Sequence, residues 1–268
     1  MHFLEMNRII EFLVKSNISL AVCAAIISMS FAPYANSTFL WGALVYFSVF
    51  TLYTTHRLIK WNFGQLDQEW QVWYSARSRV LFLLVIVHFL GACYMLFFWL
   101  QAKWSSALIL ILLLTFWYLI PYSILTLRRI PFLKAFIVAL VWTYVLLLFP
   151  HQQLEKYPSE SYWRLGFFFY FLHLAILSDI KDIRLDPIDW KTIPAVLGIS
   201  RAKWISLVFA LVSFIFFVLS PLCQNSLWIG VLYFSTWYFL ERKSATPNIS
   251  YDKLLWVLTL LFFMIRFL

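Results

Sequence analysis

ALILILLLTFWYLI, residues 107–120, decides the fold. It is apolar at odd and even positions alike, whereas a transmembrane strand would alternate between a lipid face and a lumen face. ISLVFALVSFIFFVL, residues 205–219, has the same character. A helix pairs its own backbone N–H and C=O groups, which is what crossing lipid requires, so both stretches are expected to be helices. Working outward, each further apolar stretch from Ile18 to the C-terminus approaches the roughly 20 residues that span a bilayer core. Spans are expected near 12–32, 38–57, 79–100, 104–120, 133–149, 163–181, 204–222, 225–241 and 252–268. With 63% hydrophobic and 12% charged residues, the 268-residue chain has too little polar surface for a soluble domain of its size. The expected fold is an all-α polytopic membrane helix bundle of about nine transmembrane helices, forming one transmembrane domain over 1–268. Arg8, Glu11 and Lys15 precede the first apolar run, which is expected to be a retained span and not a removed signal peptide.

The basic residues orient this bundle. All but four of the 21 lysines and arginines fall in the N-terminal segment or near the connections after spans two, four, six and eight. The exceptions are Lys103, Lys156, Arg164 and Arg266. Such a bias predicts a multi-pass protein of the plasma (inner) membrane, with a cytoplasmic N-terminus and an outside C-terminus. It also accounts for the net charge of +9 without nucleic acid, since most of these bases can simply sit beside anionic lipid. Cys23, Cys93 and Cys223 lie in apolar segments, without metal-ligand spacing, and are expected to pack.

The sharpest polar cluster is DIKDIRLDP, residues 179–187, at the inner end of span six. At 100° per residue, Asp179, Asp182 and Asp186 lie within about 60° of one another. Three carboxylates at the C-terminal end of a helix oppose its macrodipole and call for a compensating cation. Mg²⁺, which takes one or two carboxylates together with phosphate oxygens, is one candidate. Local partners such as Lys181 and Arg184 in a wet loop are the alternative. The inner end of span two repeats the i, i+3, i+7 spacing with Tyr53, His56 and Lys60, and Arg57 adds a further cation. Matching clusters four spans apart suggest two pseudo-repeated halves, about 1–130 and 131–268. A third cluster, Tyr118, Tyr122, Arg128, Arg129 and Lys134, follows span four, and its bases either clamp phosphate oxygens or anchor topology.

At these residues the chain resembles the UbiA superfamily of intramembrane prenyltransferases. The resemblance rests on SDIKDIRLDPIDWKTIPAVLGISRAK at 178–203, which is similar to the family's second aspartate motif and its following Lys-Thr-x-Pro-x-x-x-Gly run, here Lys191, Thr192, Pro194 and Gly198. YSILTLRRIPFLK at 122–134 is similar to the family's basic loop after the fourth helix. The resemblance implies nine helices around a cavity for a polyprenyl tail, and transfer of the isoprenoid chain from a polyprenyl diphosphate to a hydrophobic acceptor. It makes Asp179, Asp182 and Asp186 the catalytic metal ligands for Mg²⁺, with one metal site at most retained. Its diphosphate ligands would be Arg128, Arg129, Lys134 and Lys191, joined by His56, Arg57 and Lys60 where basic side chains bind the diphosphate directly. The chain departs from the family's first motif, Asn-Asp-x-x-Asp-x-x-x-Asp, where it carries Leu52, Tyr53, His56 and Lys60. The alternative is therefore a catalytically silent relative that binds a lipid or isoprenoid, or serves as a membrane partner.

His88 and His173 fall within spans, where a neutral histidine bonded to a neighbouring helix is expected; His173 also lies deep enough to line a cavity. Residues 61–79, with Trp61, Trp70, Trp73 and Tyr74, are expected to form a long inner connection carrying an interfacial helix. Residues 151–164 are expected to be an outside loop.

Overall fold

The computed structural model describes residues 2–31, 35–100, 106–119, 130–148, 161–183 and 190–219. These are helical, without a strand among them: α1 (His2–Lys15), α2 (Ile18–Phe31), α3 (Ala35–Asn62), α4 (Gln68–Leu100), α5 (Ser106–Leu119), α6 (Leu133–Thr143), α7 (Ser161–Asp182), α8 (Ile193–Leu197) and α9 (Ile199–Leu219). A π-helical turn, Tyr144–Leu148, continues α6. Among the described residues three helices are long and apolar enough to cross a membrane, Gln68–Phe97, Tyr162–Ile180 and Ile199–Leu219, and a bent pair, Ile9–Lys15 with Ile18–Met29, makes up to four. The segments expected at 225–241 and 252–268 lie outside the described residues.

Large apolar side chains point outward from these helices. Phe82, Leu83 and Phe97 of α4 and Trp204, Leu211 and Ile215 of α9 are each more than half exposed. Continuous apolar faces of this kind belong to a protein whose solvent is lipid.

The described residues fall into two compact units, one holding those up to Leu100 and the other those from Ser106 on. In the first, the expected opening span is broken. Asn17 takes a left-handed conformation, φ 66°, which asparagine tolerates better than other side-chain-bearing residues, and α1 leaves α2 at 70°. Thr54 of α3 secures the break: its hydroxyl donates to the Ser16 carbonyl at 2.8 Å and accepts from Asn17 Nδ2 at 3.4 Å. The connection between α3 and α4 is shorter than the sequence suggests, only 63–67. Gly64 closes α3 at φ 66°, with its N–H on the Trp61 carbonyl and the Gln65 N–H on the Lys60 carbonyl. Asp67 then caps α4 through Oδ1 to the Trp70 N–H at 2.9 Å. What was expected as a loop with an interfacial helix is therefore mostly the first turns of a 33-residue α4.

In the second unit α7 packs along α9 and α6. The buried residues of α9 are Ala202, Ser206, Ala210, Ser213 and Phe217, a stripe of mainly small side chains that lets backbones approach closely. Gly166 of α7 meets this stripe: a Cβ there would stand 2.9 Å from the Phe217 ring, and its carbonyl accepts the Ser213 hydroxyl. Aromatic pairs join α6 to α7, Phe136 with Phe168 and Trp142 with Phe171.

Candidate functional site

Lys134 is the second residue of α6, where its charge opposes the positive end of that helix. Asp179 stands in the last turn of α7, where its charge opposes the negative end. The fold brings the two together: Lys134 Nζ lies 2.6 Å from Asp179 Oδ1, with the side chains 11% and 4% exposed. Each charge is thus misplaced on its own helix and well placed against the other's. The indole of Trp190, itself buried, lies beneath the ammonium at 5.9 Å from its centroid. Desolvating two ions is costly, and a short contact beside an aromatic face offsets much of that cost.

The floor of this end is built from the stretch after the aspartates. Thr192, Ile193 and Pro194 are buried although they stand at the start of the five-residue α8. Proline within the first turn of a helix sacrifices no hydrogen bond. Gly198, at φ 83°, turns the chain from α8 into α9. The Thr192 hydroxyl is buried with no hydrogen-bond partner among the described residues. Lys191 is exposed and Asp182 half-buried. Asp186, Arg128 and Arg129 lie outside the described residues.

His173, one to two turns before Asp179, is 1% exposed. Its Nδ1 faces the Ser206 carbonyl at 2.9 Å, so Nδ1 carries the proton, and the Ser206 hydroxyl lies 2.8 Å from the same atom. Nε2 is buried with no hydrogen-bond partner among the described residues. The expected interhelical histidine is therefore found, bonded to α9. His88 behaves likewise in the first unit, with Nδ1 on its own helix at the Leu84 carbonyl and Nε2 facing the Tyr46 hydroxyl of α3 at 3.4 Å.

His56, Arg57 and Lys60 lie in the last turns of α3, half-buried, in the first unit. The Arg57 guanidinium stacks over Trp70 at 4.0 Å. Beside it Lys15, at the end of α1, contacts Glu11 at 2.8 Å, pairs with Glu69, and lies over the same indole at 5.6 Å. Tyr74 donates to the Lys15 carbonyl at 2.8 Å. This aromatic and ionic collar, built on Trp70, Trp73 and Tyr74, ties α1, α3 and α4 at one end of the unit.

The sequence pointed to Asp179 and Lys134 separately, the first as a metal ligand and the second as a phosphate ligand, and did not pair them. A cation at the start of an apolar helix was the available signal, since only a nearby acid relieves it. Trp190 gave no signal beyond being aromatic. The described donors do not fit the Mg²⁺ that the resemblance implies: an ammonium already meets Asp179 Oδ1, and no group of three His, Cys, Asp or Glu side chains among the described residues is placed to hold a metal ion. Comparisons of the chain with protein-family models, curated proteins and solved structures return no match.

Proposed function

We propose that the chain is a divergent UbiA-type membrane protein of about nine spans that transfers an isoprenoid chain from a polyprenyl diphosphate to a hydrophobic acceptor. The observation that carries this reading is the buried Lys134–Asp179 pair at the end of α7. Ionised side chains at the edge of an apolar bundle are expensive, and they concentrate where a membrane protein handles a polar or charged substrate. In this reading the N-terminus and the Asp179 end face the cytoplasm. Lys191 and the Arg128–Arg129 loop supply positive charge to the diphosphate. The allylic C–O bond breaks, diphosphate leaves with the bonding electrons, and the acceptor adds to the allylic carbon and loses a proton. Lysine and arginine stabilise such a leaving group directly, and an apolar surround keeps water from the cation.

A second reading, binding of an isoprenoid lipid without transfer, is favoured by the same ion pair. Lys134 engages an aspartate that the resemblance assigns to metal, while His56 and Lys60 stand in the sequence where the second and third carboxylates of the family's first motif would be. Incubating the purified protein with labelled polyprenyl diphosphates and candidate acceptors, with and without Mg²⁺, separates the two. Release of pyrophosphate with formation of a prenylated product is expected of the enzyme. Saturable binding without release supports the silent relative, and neither binding nor release contradicts both.

A further inference from the structure

We propose that Lys134 is the resident cation of the Asp179 site, supplying from within the chain the positive charge that the resemblance assigns to a divalent metal ion. Three observations converge on this. The Lys134 ammonium lies 2.6 Å from Asp179 Oδ1, and both side chains are almost wholly withdrawn from solvent. The pair is matched to its setting, because the macrodipole of α6 favours the carboxylate and that of α7 favours the ammonium. Trp190 closes the ammonium's surroundings with an aromatic face, which suits a fixed monovalent cation better than a hydrated divalent one. Asp182, one turn on and about 60° round the helix, is half-buried and is the carboxylate nearest in sequence that a metal would share with Asp179.

The consequence is that the Asp179 end of α7 is held together without Mg²⁺, and that Mg²⁺ enters only when the lysine is removed. The ion pair does not depend on the isoprenoid reading; only the nature of the bound anion rests on it. A stability measurement tests the resident cation, and the pyrophosphate assay tests the reading, so the failure of one is distinguishable from failure of the other.

The test is thermal unfolding in detergent of the wild type, Lys134→Met and the double variant Lys134→Met/Asp179→Asn, each in EDTA and in millimolar MgCl₂. The wild type is expected to melt at the same temperature in both. Lys134→Met, which takes the ammonium away from the buried Asp179 carboxylate, is expected to fall by roughly 10 °C in EDTA and to regain part of that in MgCl₂. The double variant loses the buried carboxylate as well; it is expected to lie above Lys134→Met in EDTA and to ignore MgCl₂. Should Lys134→Met prove too unstable to purify, the milder Lys134→Gln takes its place with the same expectations in EDTA and MgCl₂. A wild type stabilised by MgCl₂ overturns the proposal, as does a Lys134→Met variant that melts with the wild type. A destabilised Lys134→Met that MgCl₂ does not restore also overturns it, since the lysine would then not stand where a metal can.

Discussion

Thr54 shows how much one hydroxyl can hold in this protein. It is fully buried on α3, yet it satisfies the Ser16 carbonyl and meets Asn17 at the break between α1 and α2. Thr54→Val keeps the shape and strands a buried carbonyl, a loss of about 1–3 kcal/mol. The expected result is a lower melting temperature in detergent and faster amide exchange at 16–21, and unchanged values for both would show that the break is held by something else. None of this was legible beforehand, because a threonine within an apolar span looks like any other small polar residue. Asp179 was legible: a carboxylate at the end of a span is unusual enough to demand a cation. Its partner was not, because Lys134 and Asp179 lie on different helices, and sequence spacing finds neighbours only along one helix.

At the scale of elements, apolar runs predicted helices well, since hydropathy and length suffice for that. The stretches expected at 79–100 and 163–181, and the described part of the one at 204–222, coincide with the apolar parts of α4, α7 and α9. Local backbone chemistry escaped the hydropathy profile, as at the left-handed Asn17, which breaks the span expected at 12–32, and at Asp67, whose cap carries α4 into a stretch that looks polar. The contact between α7 and α9 was also hidden, for alanine and serine stripes become meaningful only when a facing glycine is known. That contact gives a sharp expectation at Gly166. A methyl group there would stand 2.9 Å from the buried Phe217 ring, so Gly166→Ala should cost about 1–3 kcal/mol through overpacking. Adding Phe217→Leu should restore part of the loss. If Gly166→Ala melts with the wild type, the helices are not packed as closely as described.

For the whole molecule, the distribution of basic residues makes a prediction independent of any side-chain contact. Single cysteines placed near 65, 130 and 190 should react with a membrane-impermeant thiol reagent only after the inner face is exposed, while one near 153 should react from outside. Labelling of position 190 from the outer face would reverse the orientation and remove the Asp179 end from the cytoplasm. Overall hydropathy made the membrane class plain, because no arrangement of 63% hydrophobic residues hides them all from water. The functional reading drew on narrower ground, the aspartate stretch and the basic stretch before α6, and the fold has joined one residue from each in a single ion pair. The most direct trial of that reading is covalent: a photoreactive polyprenyl diphosphate is crosslinked to the purified protein in detergent and the adducts are mapped by mass spectrometry. The account predicts adducts in the peptides around Lys134 and around 190–198, suppressed by excess unlabelled polyprenyl diphosphate. Adducts confined to the exposed faces of α4 and α9 and indifferent to competitor would contradict it.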